Sequence, residues 1–317
     1  MRTVNFIAGL AISASLVTPA LAQVNLSAET ANANGVPGNT VLALGEFANA
    51  AGVANIQVAT GQTLTNSIQN VAEGKSDISA APFILPFLLS RGVGPYAKLG
   101  KDTGADYADR LAVLYTYRLG VFTLSAYNSS SVKGWDSLEG KTIYNGPPRG
   151  AALTNARGVV KLATGLGDGE GYTGVQVNWD QAVKTMTDGS ADAFVLPSSF
   201  PDGRHTAAVA SGSITMWSMP KAAFESDATQ KYMKAPGSGK VDIPLSEAVQ
   251  PEGVKVVSED DRFRGVATVG GEVVRKDMDE ELAYQLTKAV LDNLDAIKSK
   301  TPFLPQVSLG EVADTAT

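Results

Sequence analysis

Gly74-Lys75-Ser76-Asp77-Ile78-Ser79-Ala80-Ala81-Pro82 and Gly189-Ser190-Ala191-Asp192-Ala193-Phe194-Val195-Leu196-Pro197 share one frame. In both, Gly precedes Asp by three positions and Pro follows that Asp by five. Upstream of each stands a similar strand start, Ile56-Gln57-Val58 and Val175-Gln176-Val177, followed by an amphipathic stretch. Each copy reads as strand, helix, Gly at the helix C-terminus, buried strand, then a Pro-marked turn. Two copies of one αβ unit predict two similar lobes. Open α/β sheets bind ligands at the carboxyl ends of their strands, so the two turns are expected to face one cleft. Asp77 and Asp192 hold equivalent places in the copies, which favours a structural role in the turn.

The chain ends narrow the setting. Arg2 is followed by an apolar run from Phe6 to Val17 and then by Pro19-Ala20-Leu21-Ala22-Gln23, with small residues at the two positions a signal peptidase reads. The run is short for a membrane span, so residues 1–22 read as a secretory signal peptide cleaved after Ala22, and the protein is expected in the periplasm. The chain has no Cys, which excludes disulfides and thiolate metal sites. Formal net charge is −6 and no basic run exists, so nucleic acid, which requires clustered Lys and Arg, is not an expected partner.

Along the mature chain, Val24–Ala28 reads as a strand. Asn39 or Thr40 is placed as the cap of a helix running through Val41, Leu44 and Phe47, after a turn-rich loop over residues 32–38. Residues 83–109 read as one short apolar helix and a Gly-rich loop. Arg110–Ala126 is a long apolar, β-prone stretch interrupted only near Arg118-Leu119-Gly120, a length that suits strands passing between lobes. Ala151–Thr164 reads as a helix. Gly165–Gly174 reads as a flexible surface connection, and it lacks the strand before and the Lys-Ser/Thr after that a phosphate loop needs. Ser198–Ala210 is read as a helix, residues 219–255 as helical pieces and loop, Gly265–Arg275 as a strand, and Asp279–Lys300 as one closing helix with acidic residues first and lysines last.

Catalytic groups are scarce. His205 is the one histidine; it stands beside a helix, without a nucleophile motif, and reads as solvent-facing. No metal-ligand spacing is present. Neither enzyme chemistry nor a metal nor a cofactor is expected. What remains are three polar strand-to-helix loops: Pro37-Gly38-Asn39-Thr40, Thr60 to Asn66, and Asn145 to Ala152. Such junctions present unpaired backbone N–H groups and the positive end of a helix dipole, and so hold anions; the same hydroxyls also serve as ordinary helix caps. The candidate ligand-binding residues are Asn39, Thr40, Thr60, Gln62, Thr63, Asn66, Asn145, Arg149, Gly150, Ser198 and Ser199, with Trp179 and Phe200 as apolar walls. Arg149 is the only formal charge among them, and a guanidinium grips a carboxylate with two parallel hydrogen bonds.

Four motifs, in order and spacing, carry a resemblance to a family. Thr60-Gly61-Gln62-Thr63-Leu64-Thr65-Asn66 looks like T-G-G-S-x-E-N, and Glu73-Gly74-Lys75-Ser76-Asp77-Ile78 looks like A-G-E-A-D-L. Ser137-Leu138-Glu139-Gly140-Lys141 followed by Gly146-Pro147-Pro148 resembles D-L-K-G-K followed by G-P-P-G-S-G-T, and Leu286 through Asp295 resembles L-T-K-A-L-x-E-N-L-D. Together they resemble the TAXI family, the solute receptors of one branch of the tripartite ATP-independent periplasmic (TRAP) transporters. The resemblance implies a two-lobe α/β periplasmic binding protein, type II-like, each lobe a mixed sheet flanked by helices, joined by hinge strands. Residues 23–117 and 221–317 would form lobe I and residues 118–220 lobe II. It also implies a monomer that closes on a small organic acid anion and docks to TRAP membrane subunits; a module that presents a solute to a membrane sensor kinase would share this fold. The chain departs from the family at Gln62, at Thr65, at Arg149-Gly150-Ala151-Ala152 in place of G-S-G-T, and at Pro37-Gly38-Asn39-Thr40-Val41 in place of G-x-Y-Y, so the ligand itself stays open.

Overall fold

The computed structural model describes residues 23–33 and 35–300. The signal peptide read over residues 1–22, its cleavage site and residues 301–317 lie outside the described residues. The elements are β1 (Val24–Glu29), α1 (Val36–Ala50), β2 (Ala54–Ala59), α2 (Leu64–Ala72), β3 (Ile78–Pro82), α3 (Ile84–Arg91), α4 (Gly100–Asp109) and β4 (Leu111–Tyr127). They continue with β5 (Thr142–Tyr144), α5 (Ala151–Thr164), β6 (Thr173–Val175), α6 (Ala182–Thr187), β7 (Ala193–Ser198), α7 (Gly203–Ala208) and β8 (Ile214–Trp217). The last are α8 (Lys221–Glu225), α9 (Asp227–Met233), β9 (Ser238–Pro244), β10 (Val254–Val257), β11 (Arg262–Arg275), α10 (Glu280–Leu291) and α11 (Leu294–Lys300). No helix among the described residues is long and apolar enough to cross a membrane.

The repeated sequence frame is a repeated structure. The sheet runs β2-β1-β3-β11-β4-β7-β5-β6, so β2-β1-β3 at one end mirrors β6-β5-β7 at the other, parallel within each trio. Gly74 and Gly189 have φ of 74° and 76°, the left-handed turn conformation that favours glycine. Three residues on, Asp77 Oδ2 accepts from the Ser27 N–H at 2.7 Å, and the Asp77 N–H donates to Ser27 O at 3.1 Å. Asp192 Oδ2 accepts from the Thr142 N–H at 2.8 Å, and the Asp192 N–H donates to Thr142 O at 2.8 Å. In each lobe the aspartate ties the incoming strand to the start of its parallel neighbour.

The long antiparallel strands β4 and β11 pass through both halves. Tyr115, Tyr117 and Leu119 of β4 pack with Val36, Leu44 and Leu286 in one core, whereas Phe122, Leu124 and Ala126 pack with Val159, Val160 and Trp135 in another. The change of core falls where the β4–β11 register slips: Arg118 faces Val269 and Gly120 faces Thr268, leaving Leu119 as the extra residue. Such a bulge bends a strand and raises its twist. In lobe I, α1 and α10 cover one face of the sheet and α2 with α3 the other. In lobe II, α5 covers one face and α6 with α7 the other.

Several local expectations change. α1 begins at Val36 rather than at Asn39 or Thr40, because Pro37 has the φ that a helix's first turn requires and needs no N–H partner there. Residues 100–109 form α4, packed on α3. Residues 219–255 contain β9 and β10. Within this stretch Phe224 and Met233 are buried in the core of Val159 and Val160, and β9 pairs with Arg262–Thr268 of β11. The closing helix is two helices, α10 and α11; Asp279 caps the first, accepting from the Leu282 N–H at 2.9 Å. Gly165–Gly174 is pinned rather than loose: Asp168 accepts from the Gly174 N–H at 2.8 Å and from Arg157 Nε of α5 at 2.8 Å.

Candidate functional site

Strands that run parallel within each trio end on the same side, and the loops leaving β1, β2 and β5 gather there. The two lobes touch through these loops. Asn32 Nδ2 lies 3.5 Å from the Trp179 carbonyl oxygen, a Cβ on Gly150 would stand 3.5 Å from Thr65 Oγ1, and Ala151 packs on the lobe I cluster of Ile68, Ala81 and Leu85. The first turns of α2 and α5 thus meet across the cleft. Neither carries an acidic residue in its first turn, nor does α1. Their unpaired N–H groups make the cleft a place for negative charge.

The candidate residues divide into two groups. Thr60, Gln62, Thr63 and Asn66 are exposed around the start of α2, with Thr63 as its N-cap residue. Arg149 is exposed, Gly150 and Trp179 are half-buried, and all three border the contact just described. Asn39 is half-buried in the first turn of α1, and its buried Nδ2 has no hydrogen-bond partner, the condition of an amide awaiting an acceptor.

The others are taken up by the fold. Thr40 Oγ1 is buried against the Tyr117 hydroxyl at 2.8 Å, so it belongs to the lobe I interior rather than to the cleft. Asn145 is buried with both arms engaged, accepting from Gln176 Nε2 at 2.8 Å and donating to Asp168 at 3.4 Å. Ser198 Oγ pairs with Thr123 Oγ1 at 2.9 Å. Ser199 is buried in a turn, its carbonyl accepting from Gln250 Nε2 at 2.8 Å. Phe200, expected as an apolar wall, packs edge-on to Phe263 at 4.9 Å in a core cluster. Asn145, Ser198, Ser199 and Phe200 stand at or just past the ends of β5 and β7, too close for their side chains to escape the sheet's packing, and Thr40 is turned inward by the helix that carries it.

His205 is buried rather than solvent-facing. It lies beside Asp202 and Arg204 at the start of α7, where Asp202 caps the helix and accepts from Arg204 Nη2 at 2.9 Å. Burial opposes ionisation of Asp202, but Arg204 and His205 overcome it and hold the carboxyl at about 2. Burial lowers the His205 value, against the pull of Asp202, which favours the neutral ring. The Arg204 guanidinium also stacks on Trp179, 5.4 Å from the ring centroid, and so backs the cleft wall from inside lobe II.

Asn32 is absent from the sequence-derived set. Asn32 had only a turn-rich context to mark it.

None of the curated proteins matches this chain. Among solved structures, one from Bordetella bronchiseptica RB50 is 15% identical over 89% of this chain and 76% of that chain, with a TM-score of 0.51. A TRAP periplasmic solute binding protein from Sulfitobacter sp. NAS-14.1 with bound β-D-galacturonate is 9% identical over 92% of this chain and 86% of that chain, with a TM-score of 0.50. The substrate binding protein of an amino acid ABC transporter is 12% identical over 87% and 98%, with a TM-score of 0.46. At such identities the likeness is one of fold, the two-lobe α/β fold of periplasmic solute-binding proteins. The model of one family matches residues 38–317, most of the chain, and the protein accordingly belongs to the NMT1-like family.

Proposed function

We propose that this protein is a periplasmic solute-binding receptor without catalytic activity, of the TAXI type, serving a TRAP-type secondary transporter. It takes a small organic acid anion between lobes I and II and delivers it to membrane subunits. The carrying observation is the meeting of the α2 and α5 first turns across the cleft, from two lobes, with no acidic residue in either turn. Lobe I is residues 23–118 with 269–300, and lobe II is residues 120–268, hinged at the bulge around Leu119. Arg149, exposed on the loop before α5, meets the incoming anion at the mouth. The order of the four sequence motifs supports the TRAP reading in particular.

Native mass spectrometry of protein purified without refolding tests the proposal, together with thermal shifts against a panel of carboxylic acids. A co-purified carboxylate, or an acid that raises the melting temperature and compacts the protein in small-angle scattering, is the expected result. At acid a hundredfold above its dissociation constant the gain is about 2.7 kcal/mol. If no solute binds, or binding leaves the scattering unchanged, the receptor reading fails.

A further inference from the structure

Glu272 of β11 stands directly across from Tyr115 of β4 on one side and from Ala80 of β3 on the other. Residues paired across strands share a face, and α1 and α10 cover this one. Glu272 and Tyr117 are wholly buried and Tyr115 nearly so. The Tyr117 hydroxyl donates to Glu272 Oε2 at 2.9 Å, and Thr40 Oγ1, in the first turn of α1, donates to the Tyr117 hydroxyl at 2.8 Å. Glu272 Oε1 and the Tyr115 hydroxyl have no hydrogen-bond partner. Among the described residues no cation faces the carboxylate. β3 carries no charge, and Glu46 of α1 and Glu280, Glu281, Tyr284 and Lys288 of α10 are exposed. A carboxylate so placed keeps its charge only at high cost. Burial, against the pull of the Thr40, Tyr117 and Tyr115 hydroxyls, raises the carboxyl to about 7.

A hydroxyl both donates and accepts, so these groups support two complete chains of hydrogen bonds. With Glu272 ionised, Thr40 donates to Tyr117 and Tyr117 donates to Glu272. With Glu272 protonated on Oε2, Glu272 donates to Tyr117 and Tyr117 to Thr40. Thr40 then donates to the carbonyl of Pro37 at 3.1 Å or of Val36 at 3.2 Å. The chain therefore ends in the first turn of α1. That turn packs on the β1–α1 loop, where a Cβ on Gly38 would stand 2.3 Å from Asn32 O, and the loop in turn reaches Trp179 of the other lobe.

We propose that this protein takes up its anion together with a proton, and that Glu272 is the group that receives the proton. The inference rests on the solute-receptor reading and adds a regulation of that same site by pH. An ionised Glu272 and an anion at the start of α1 are two negative charges drawing on one positive helix end, and charges in the interior are little screened by salt. Binding of the anion therefore favours the neutral carboxyl. The proton comes from solvent and forms the O–H bond of the acid; no other bond changes. By reciprocity the protonated protein holds the anion more tightly. Affinity should rise as pH falls through neutrality, and the anion should be released more readily as pH rises.

The test uses the mature protein and its Glu272→Gln and Thr40→Val variants. The probes are small monocarboxylic acids, which stay ionised from about pH 6 to pH 8. Calorimetry in two buffers of different ionisation enthalpy counts the protons taken up. The wild type should take up about half a proton per acid near pH 7, and should bind at least about 5-fold more tightly at pH 6 than at pH 8. Glu272→Gln, which mimics the neutral acid, should take up no proton and bind equally at both pH values. His205 remains in that variant, so proton uptake that persists there assigns the proton elsewhere and overturns the inference. Thr40→Val removes a hydroxyl that favours the ionised form, so the pH window of uptake should move upward. This variant serves if the Gln protein does not fold, and an unmoved window also overturns the inference. If the wild type binds an acid without taking up a proton, the inference falls while the receptor reading stands. If the wild type binds no acid in the panel, the receptor reading itself falls and takes the inference with it.

Discussion

Replacing Glu272 by Gln should remove a fall in stability between mildly acidic and neutral pH. Glu272 is fully buried in lobe I. Its Oε2 accepts from the Tyr117 hydroxyl at 2.9 Å, and its Oε1 has no partner. Burial raises the carboxyl to about 7, against the hydroxyls of Thr40, Tyr117 and Tyr115, and no cation contributes. In the unfolded chain a Glu titrates near 4.3. Below that value both states hold the proton and the stabilisation is fully present. Between about 4.3 and about 7 the folded protein keeps a proton that the unfolded chain has lost, so stability falls as pH rises, and the fall ends above about 7. At 1.36 kcal/mol per unit the change is roughly 4 kcal/mol. Gln keeps the shape and an acceptor for Tyr117 but cannot ionise. The variant should match the wild type below about pH 4 and exceed it by up to about 4 kcal/mol at pH 8, on the order of 8 °C in melting temperature for a protein of this size. Urea and thermal unfolding of both proteins at several pH values measure the difference directly. The difference matters because His205, lowered by burial, has the opposite slope in part of this window. An unchanged gap between variant and wild type from pH 5 to pH 8 would refute the reasoning.

Asp202→Asn should destabilise the protein by about 3–5 kcal/mol, the range for breaking a buried pair while leaving the other charge in place; a loss under about 1 kcal/mol in urea unfolding would show that Arg204 finds water instead. Asp77→Ala and Asp192→Ala should each cost about 1–3 kcal/mol, because each leaves a strand-start N–H without its acceptor. The two lie in different lobes, so their costs should add in the double variant, and strong non-additivity would argue against equivalent, separate roles.

Much of this fold was legible without coordinates. The repeated Gly-x-x-Asp frame, the Pro-marked strand ends and the break at Arg118-Leu119-Gly120 all map onto real features. Each is a short-range signal: a backbone conformation that favours glycine, a ring that presets φ, a periodicity that two lobes read alike. The assignment of side chains to faces was not legible. Thr40, Asn145, Ser198 and Phe200 sit in the strand-to-helix junctions where ligand contacts are expected, yet partners far along the chain draw each of them into the interior. His205 and Glu272 show the same limit. One lies in an exposed-looking polar run and is buried by Asp202 and Gln250. The other is a charge in a strand that only the packing of α1 and β4 explains.

The sequence by itself determined that two αβ units are joined by long strands and that their loops are rich in anion-holding helix starts. Tertiary structure alone decided that Phe224 and Met233 pack with Val159 and Val160 and that the β4–β11 register slips at Leu119. A strand's side chains follow its alternation, but the face they meet depends on register with a distant partner, and the one-residue slip at Leu119 is a property of the pair β4–β11, visible in neither strand alone.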